Sequence, residues 1–145
     1  MNTYAYVENN PLSYVDPWGL ILQYADPASD TAMRPSVLQM MTTPKGRELL
    51  KKLNDDPQTY LIHSGFGPHG TNYQLGQDVY VDPNANINIP ATDSGTRKFS
   101  TTRILAHELG HCTGTLDDGP NNMNNVNKWE NSIMFPIEGY NRTRY

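Results

Sequence analysis

Apolar residues recur every three or four positions between residues 35 and 54, the period of a helix with one buried face. These positions are Val37, Leu38, Met40, Met41, Leu49, Leu50 and Leu53. Pro44 and Gly46 interrupt the pattern, and because proline removes a helical hydrogen bond, we predict two helices in place of one. Residues 21–33 are polar and contain an Asp-Pro step, so we predict a linker there.

Strand-forming residues cluster in three short segments, at 59–63, 78–83 and 87–90. A further helix is predicted at 101–113, because the Ser-Thr-Thr run that precedes its apolar positions offers an N-cap and Gly114 offers a stop. The remainder of the chain is rich in asparagine and has no clear period. Helices combined with a small, mainly antiparallel sheet predict an α+β fold.

The composition narrows the class of protein. With 145 residues, 37% of them hydrophobic, the chain is long enough for one domain with its own core. The net charge is −4 and basic residues are not clustered, which argues against nucleic acid as a partner. No apolar run approaches the roughly 18 residues of a membrane span, and no secretory signal is visible. The single cysteine, Cys112, excludes a disulfide within the chain.

The most specific chemistry in the chain is carried by the five residues from His107 to His111, which read His-Glu-Leu-Gly-His. Residues four apart lie on one face of a helix, so both histidines can present a ring nitrogen to one metal ion. Glu108 lies beside this face, where a general base for a metal-activated water is needed. The motif predicts a catalytic site with one Zn²⁺ per chain and with His107 and His111 as two of its ligands.

Catalytic zinc usually takes three protein ligands, and the sequence offers two main candidates for the third. Glu130 lies nineteen positions after His111 and is placed to return from a following helix, as in gluzincins. Asp117 lies six positions after His111, a metzincin-like spacing in which Gly114 permits the turn. The segment 132–136 resembles the methionine turn of metzincins, which favours Asp117. Both alternatives stay open, and Glu130 is the preferred prediction.

The motif helix, the pair Glu130-Asn131 and the terminal run Arg142-Thr143-Arg144-Tyr145 together resemble the NleD-like effector metallopeptidases. The similarity covers residues 107–145. It implies a zincin-like domain and makes Tyr145 and Arg144 candidates for stabilising an anionic transition state. Further candidates for that role are Arg142, His63 and His69.

The first twenty residues alternate aromatic and polar positions and end in a Pro/Gly turn. Asn2–Pro11 and Asp16–Leu20 closely resemble the end of the core of RHS (YD-repeat) proteins. This resemblance divides the chain into residues 1–20, the end of the RHS core, and residues 21–145, a C-terminal toxin domain. It implies that Asp16 takes part in autoprocessing and that the parent protein is cut after Leu20.

The same resemblance implies three partners: the RHS shell of the parent protein, a cognate immunity protein and a protein substrate in a target cell. It also implies delivery by a specialised secretion system, with the toxin acting in the cytoplasm of the target cell. The predicted activity is therefore that of a zinc endopeptidase that uses Glu108 as general base. Its substrate would extend along an edge strand, at 78–82 or 87–89.

Two other functions compete with this one. The first is a zinc-stabilised, non-catalytic toxin tip that acts by binding a target protein. The second is another kind of toxin, such as a nuclease, which the acidic composition disfavours.

Overall fold

The computed structural model describes residues 14–15, 22–68, 70, 72–92 and 95–145. The strands are β1 (Tyr14–Val15), β2 (Leu22–Tyr24), β3 (Leu61–Ser64), β4 (Tyr73–Leu75), β5 (Asp78–Val81), β6 (Asn88–Pro90) and β7 (Thr96–Lys98). The α-helices are α1 (Pro27–Met41), α2 (Pro44–Asp55), α3 (Thr101–His111) and α4 (Asn131–Glu138). A π-helical turn, Val126–Glu130, leads directly into α4. The architecture is thus α+β, as predicted.

Three sequence predictions fall on residues that the structure does not describe. They are the RHS-like run at Asn2–Pro11, the autoprocessing residues Asp16 and Leu20, and the candidate His69. Within the described ranges, no helix is both long enough and apolar enough to cross a membrane.

The predicted linker at residues 21–33 is wrong, because this stretch contains β2 and the first half of α1. Asp26 caps the helix by accepting a hydrogen bond from the backbone N–H of Ser29 at 2.7 Å. Pro27 occupies the first turn, where its missing N–H costs nothing. The predicted break is confirmed, since α1 ends at Met41 and α2 begins at Pro44.

The main sheet is mixed, which corrects the expectation of a mainly antiparallel one. Its strand order is β1-β2-β3-β5-β4, with β2, β3 and β5 parallel and with β1 and β4 antiparallel to their neighbours. Strand β5 is bordered on both sides, so the prediction that residues 78–82 form an edge is wrong. A separate antiparallel hairpin joins β6 to β7, and the bridge between Ala91 and Arg142 adds the C-terminal segment to it.

The motif helix α3 is buried along most of its length. It packs against α1, β5 and the π-helical turn. Leu105 and Leu109 of α3 have no exposed surface, and neither do Val79 and Val81 of β5. Burying an aliphatic side chain of this kind contributes about 1.5–3 kcal/mol, so the histidines stand on a well-supported helix.

Helix α3 and the π-helical turn approach each other closely at Gly110. A Cβ atom on this residue would lie 2.4 Å from Oδ1 of Asn125 and 3.0 Å from Cδ1 of Trp129. The close approach brings the segment that carries Glu130 up behind the histidines. The methionine turn suggested by the sequence is wrong, because residues 132–136 lie within α4 and Met134 is buried in the core.

Candidate metal centre

The two histidines of the motif meet on one face of α3. The side chain of Ser100 caps this helix, as predicted, by accepting from the backbone N–H of Arg103 at 3.2 Å. The Nε2 atoms of His107 and His111 lie 3.3 Å apart, and their rings are nearly perpendicular, at 89°. Both Nε2 atoms therefore point toward the same small volume.

Asp117 completes this group from the loop that follows the helix. Gly114 makes the turn with a positive φ of 78°, a conformation that glycine adopts without strain. The Oδ2 atom of Asp117 then lies 3.3 Å from Nε2 of His107 and 3.1 Å from Nε2 of His111. These three residues form a group that could hold a metal ion.

The spacing of the three donor atoms fits a tetrahedral metal. Ligands bound at about 2.0–2.1 Å and at tetrahedral angles stand about 3.3–3.4 Å apart, close to the separations observed here. The second carboxylate oxygen of Asp117, Oδ1, is buried and has no hydrogen-bond partner within the described part of the chain. Two imidazoles and a carboxylate with an unused oxygen suit a divalent ion such as Zn²⁺.

The other nitrogen of each histidine is held by an acceptor. Nδ1 of His111 lies 2.8 Å from the carbonyl oxygen of Thr115, and Nδ1 of His107 lies 3.0 Å from Oε2 of Glu130. A carbonyl and a carboxylate can only accept, so each Nδ1 carries the proton that forms the bond. This arrangement leaves both Nε2 atoms facing Oδ2 of Asp117, where a metal ion could be held.

Glu130 therefore lies behind His107 and not among the three donors. Its carboxylate has no exposed surface and lies 3.1 Å from Nη1 of Arg103 and 3.2 Å from Nη1 of Arg142. Of the two candidates for the third ligand, the structure thus brings Asp117 to the histidines and places Glu130 on the far side of one imidazole ring.

The charges around the site shift its protonation equilibria. Burial alone would lower the pKa of His107, but hydrogen bonds to Asp117 and Glu130 outweigh it and raise the pKa to about 9. Burial raises the pKa of Glu108 to about 7, with nearby Asp117 and Glu130 adding to the effect of burial. Burial would also raise the pKa of Asp117, yet its hydrogen bond with His107 keeps that pKa below the ordinary value.

The C-terminal candidates for stabilising a transition state lie at different places relative to the three donor atoms. Tyr145 lies beside the donors, with its ring 5.9 Å from that of His107. Burial, together with the nearby Asp117 carboxylate, raises the pKa of its hydroxyl to about 12. Arg142 is buried, and its guanidinium lies 4.7 Å from the Tyr145 ring. Arg144 is exposed, and no hydrogen bond or ion pair in the described ranges joins its side chain to the donors.

His63 lies in the main sheet, away from the candidate metal centre. Its Nε2 pairs with Oδ1 of Asp78 at 2.7 Å, and its ring stacks on Tyr80 at 4.4 Å. The structure thus gives His63 a local partner in the sheet and no contact with the motif histidines.

Two residues that support the site were missed from the sequence. Asn125 is fully buried and donates from Nδ2 to the carbonyl oxygen of His107 at 3.0 Å. Arg103 is fully buried on α3 and contacts Glu130. An arginine within the apolar stretch of the motif helix was the available signal for Arg103, whereas Asn125 is one of many asparagines in its segment.

Comparison with known proteins gives no further guide to this site. No protein-family model, no curated protein and no solved structure matches the chain. Its chemistry has to be inferred from the geometry of its own residues.

Proposed function

We propose that this chain is a zinc-dependent endopeptidase with a zincin-like fold. His107, His111 and Asp117 would hold one Zn²⁺, and Glu108 would be the general base. The observation that carries the proposal is the triangle of donor atoms, 3.1–3.3 Å on each side. Two of these atoms lie on the helix that also carries Glu108, and the third comes from the loop that follows it. Two histidines four apart, with a glutamate directly after the first, form the pattern expected of a hydrolytic zinc site.

When bound, zinc supplies Lewis acidity, which makes water a better nucleophile and polarises the carbonyl oxygen of the scissile bond. Glu108 takes the proton from the attacking water and passes it to the leaving amine nitrogen. Its burial supports this role, because a carboxylate with a pKa of about 7 both accepts and releases a proton near neutral pH. Tyr145 lies beside the donors and is the preferred hydroxyl donor to the anionic transition state.

The choice of Asp117 gives the spacing His-Glu-x-x-His-x-x-Gly-x-x-Asp. The left-handed backbone at Gly114 supports this assignment, because it turns the chain back toward the histidines. The same geometry leaves Glu130 without access to the metal side of His107.

The biological setting is proposed from the sequence resemblance. Residues 1–20 would be the end of an RHS core and residues 21–145 a toxin delivered into the cytoplasm of a target cell. There it would cleave a protein substrate, and an immunity protein would block it in the producing cell. The RHS-like runs at Asn2–Pro11 and Asp16–Leu20 support this setting.

A growth assay tests the toxic activity. The full chain and its Glu108→Gln variant are expressed in bacteria at matched levels, with Glu48→Gln as control, since Glu48 is an exposed carboxylate on α2. We expect the wild type and Glu48→Gln to stop growth and Glu108→Gln to be harmless. Equal toxicity of Glu108→Gln contradicts a hydrolytic mechanism and favours a toxin that acts by binding.

A second assay measures peptide-bond cleavage directly. Zinc-loaded protein is incubated with bacterial and with eukaryotic lysates, and newly formed protein N-termini are identified by mass spectrometry. We expect new N-termini that depend on Glu108 and on zinc in at least one lysate. Their absence from both lysates contradicts the proposed activity.

A further inference from the structure

The carboxylate of Glu130 is fully buried beside the candidate metal centre. It has no exposed surface, and three positively charged or proton-donating groups surround it. Oε1 lies 3.1 Å from Nη1 of Arg103, while Oε2 lies 3.2 Å from Nη1 of Arg142 and 3.0 Å from Nδ1 of His107. Each oxygen therefore has an arginine partner of its own.

The role of Glu130 follows from which ring nitrogen of His107 its carboxylate contacts. The carboxylate meets Nδ1, whereas the atom that faces Asp117 and His111 is Nε2. The imidazole ring thus stands between Glu130 and the metal position. We infer that Glu130 is a positioning residue, which holds the ring orientation and the tautomer of His107 and is not itself a metal ligand. This inference rests on the metal site of the proposed function.

The two arginines that contact Glu130 also make hydrogen bonds to other parts of the fold. Arg103 belongs to α3 and also donates from Nη2 to the carbonyl oxygen of Tyr140 at 2.9 Å. Arg142 belongs to the C-terminal segment, whose backbone is held by Asn131 through a hydrogen bond of 2.7 Å from the N–H of Arg142. Glu130 therefore positions His107 directly and, through Arg142, also anchors the segment that ends beside the donors.

The test compares Glu130→Gln with a matched control, Glu138→Gln, in the full chain. Glu138 also accepts from Arg103, at 2.8 Å from Nε, yet it makes no contact with either histidine. Zinc affinity is measured by competition with a chromophoric chelator. Cobalt(II) then replaces zinc, so that the visible absorption spectrum reports the ligand set and proton NMR reports the Nδ1–H resonances of the two coordinated histidines.

Glu130→Gln should weaken zinc binding by about 10–100-fold, the usual effect of losing a carboxylate that orients a metal-bound imidazole. Its cobalt absorption should keep the wild-type intensity, because the ligand set is unchanged. The Nδ1–H resonance of His107 should move and exchange faster with solvent, while that of His111 stays in place. Glu138→Gln should match the wild type in zinc affinity within about twofold.

Wild-type zinc affinity in folded Glu130→Gln would overturn the inference. A change of its cobalt spectrum to a lower coordination number would overturn it too, because Glu130 would then be a ligand. If Glu130→Gln does not fold, the wild-type cobalt protein decides: two slowly exchanging Nδ1–H resonances are expected, and the lack of one for His107 refutes the assignment. Peptide cleavage is not measured, so failure of the proposed activity would leave these outcomes unchanged.

Discussion

Replacing Arg103 with methionine should destabilise the protein strongly. The arginine has no exposed surface, and its guanidinium makes four hydrogen bonds to residues that the structure describes. Their lengths are 2.8 Å to Glu138, 3.1 Å to Glu130, 3.1 Å to Asn131 and 2.9 Å to the carbonyl oxygen of Tyr140. Methionine fills much of the same volume, so the variant isolates the loss of the guanidinium.

Two features of the structure set the size of the effect. Removing one partner of a buried ion pair costs about 3–5 kcal/mol, because the other charge stays buried. Here Arg142 still faces Glu130, and the side chain of Glu138 is 16% exposed, so water can reach part of it. We therefore expect a loss near the lower end, about 3 kcal/mol in the free energy of unfolding. With an m-value of about 2 kcal/mol per M, the urea midpoint should fall by about 1.5 M.

The assay is urea unfolding of the metal-free protein, followed by far-ultraviolet circular dichroism. Lys51→Met is the control, because Lys51 and Asp55 form an ion pair on the surface of α2 with side chains 70% and 57% exposed. An exposed pair of this kind contributes less than about 1 kcal/mol. If Arg103→Met and Lys51→Met lose equally little stability, the stabilising role assigned to the buried ion pairs of Arg103 is wrong.

Three further predictions concern the site itself. Gly110→Ala should lower the melting temperature, because the new Cβ would lie 2.4 Å from Oδ1 of Asn125 and 3.0 Å from Cδ1 of Trp129. Such overpacking costs up to about 3 kcal/mol, which exceeds the roughly 1 kcal/mol gained in helix propensity. A higher melting temperature contradicts this prediction. The metal-free protein should lose stability as the pH rises from 6.5 to about 9. In this range folded His107, with a pKa of about 9, keeps a proton that the unfolded chain releases near pH 6.5. If urea unfolding gives the same stability across this range, the prediction is wrong. Asp117→Ala should weaken zinc binding, measured by chelator competition, more than Glu130→Gln does, for which about 10–100-fold is expected, since it removes a ligand itself. A smaller effect contradicts the assignment of Asp117 as the third ligand.

The elements that the sequence predicted well are those whose signals lie close together along the chain. Ser100 precedes the apolar positions of α3 and caps it in the structure. Gly114 follows the helix and makes the turn that was expected of it. The break between α1 and α2 is marked locally by Pro44, which begins the second helix.

The start of α1 was missed because its signals are ambiguous without the tertiary structure. An Asp-Pro step favours both a turn and the first turn of a helix. The buried face of α1 also includes the polar residues Ser29 and Asp30, which dilute the apolar period. Ser29 accepts from the backbone N–H of Ser64 at 2.9 Å, and Asp30 pairs with Arg34, so partners elsewhere in the fold allow these polar side chains to be buried.

The spacing of Glu130 and Asp117 along the chain likewise did not decide which carboxylate lies beside the two Nε2 atoms. Both carboxylates lie within reach of the histidines along the chain, and both contact His107 in the structure. What separates them is which ring nitrogen each one meets. That depends on Arg103 and Arg142, which surround Glu130 with positive charge and lie nearly forty positions apart in the sequence.

The most direct test of the metal centre is a crystal structure of the zinc-loaded full chain, with an anomalous difference map at the zinc absorption edge. We expect one peak bonded at about 2.0–2.2 Å to Nε2 of His107, to Nε2 of His111 and to the carboxylate of Asp117. Glu130 should remain on Nδ1 of His107. A zinc peak bonded to Glu130, or no peak at the two histidines, would contradict it.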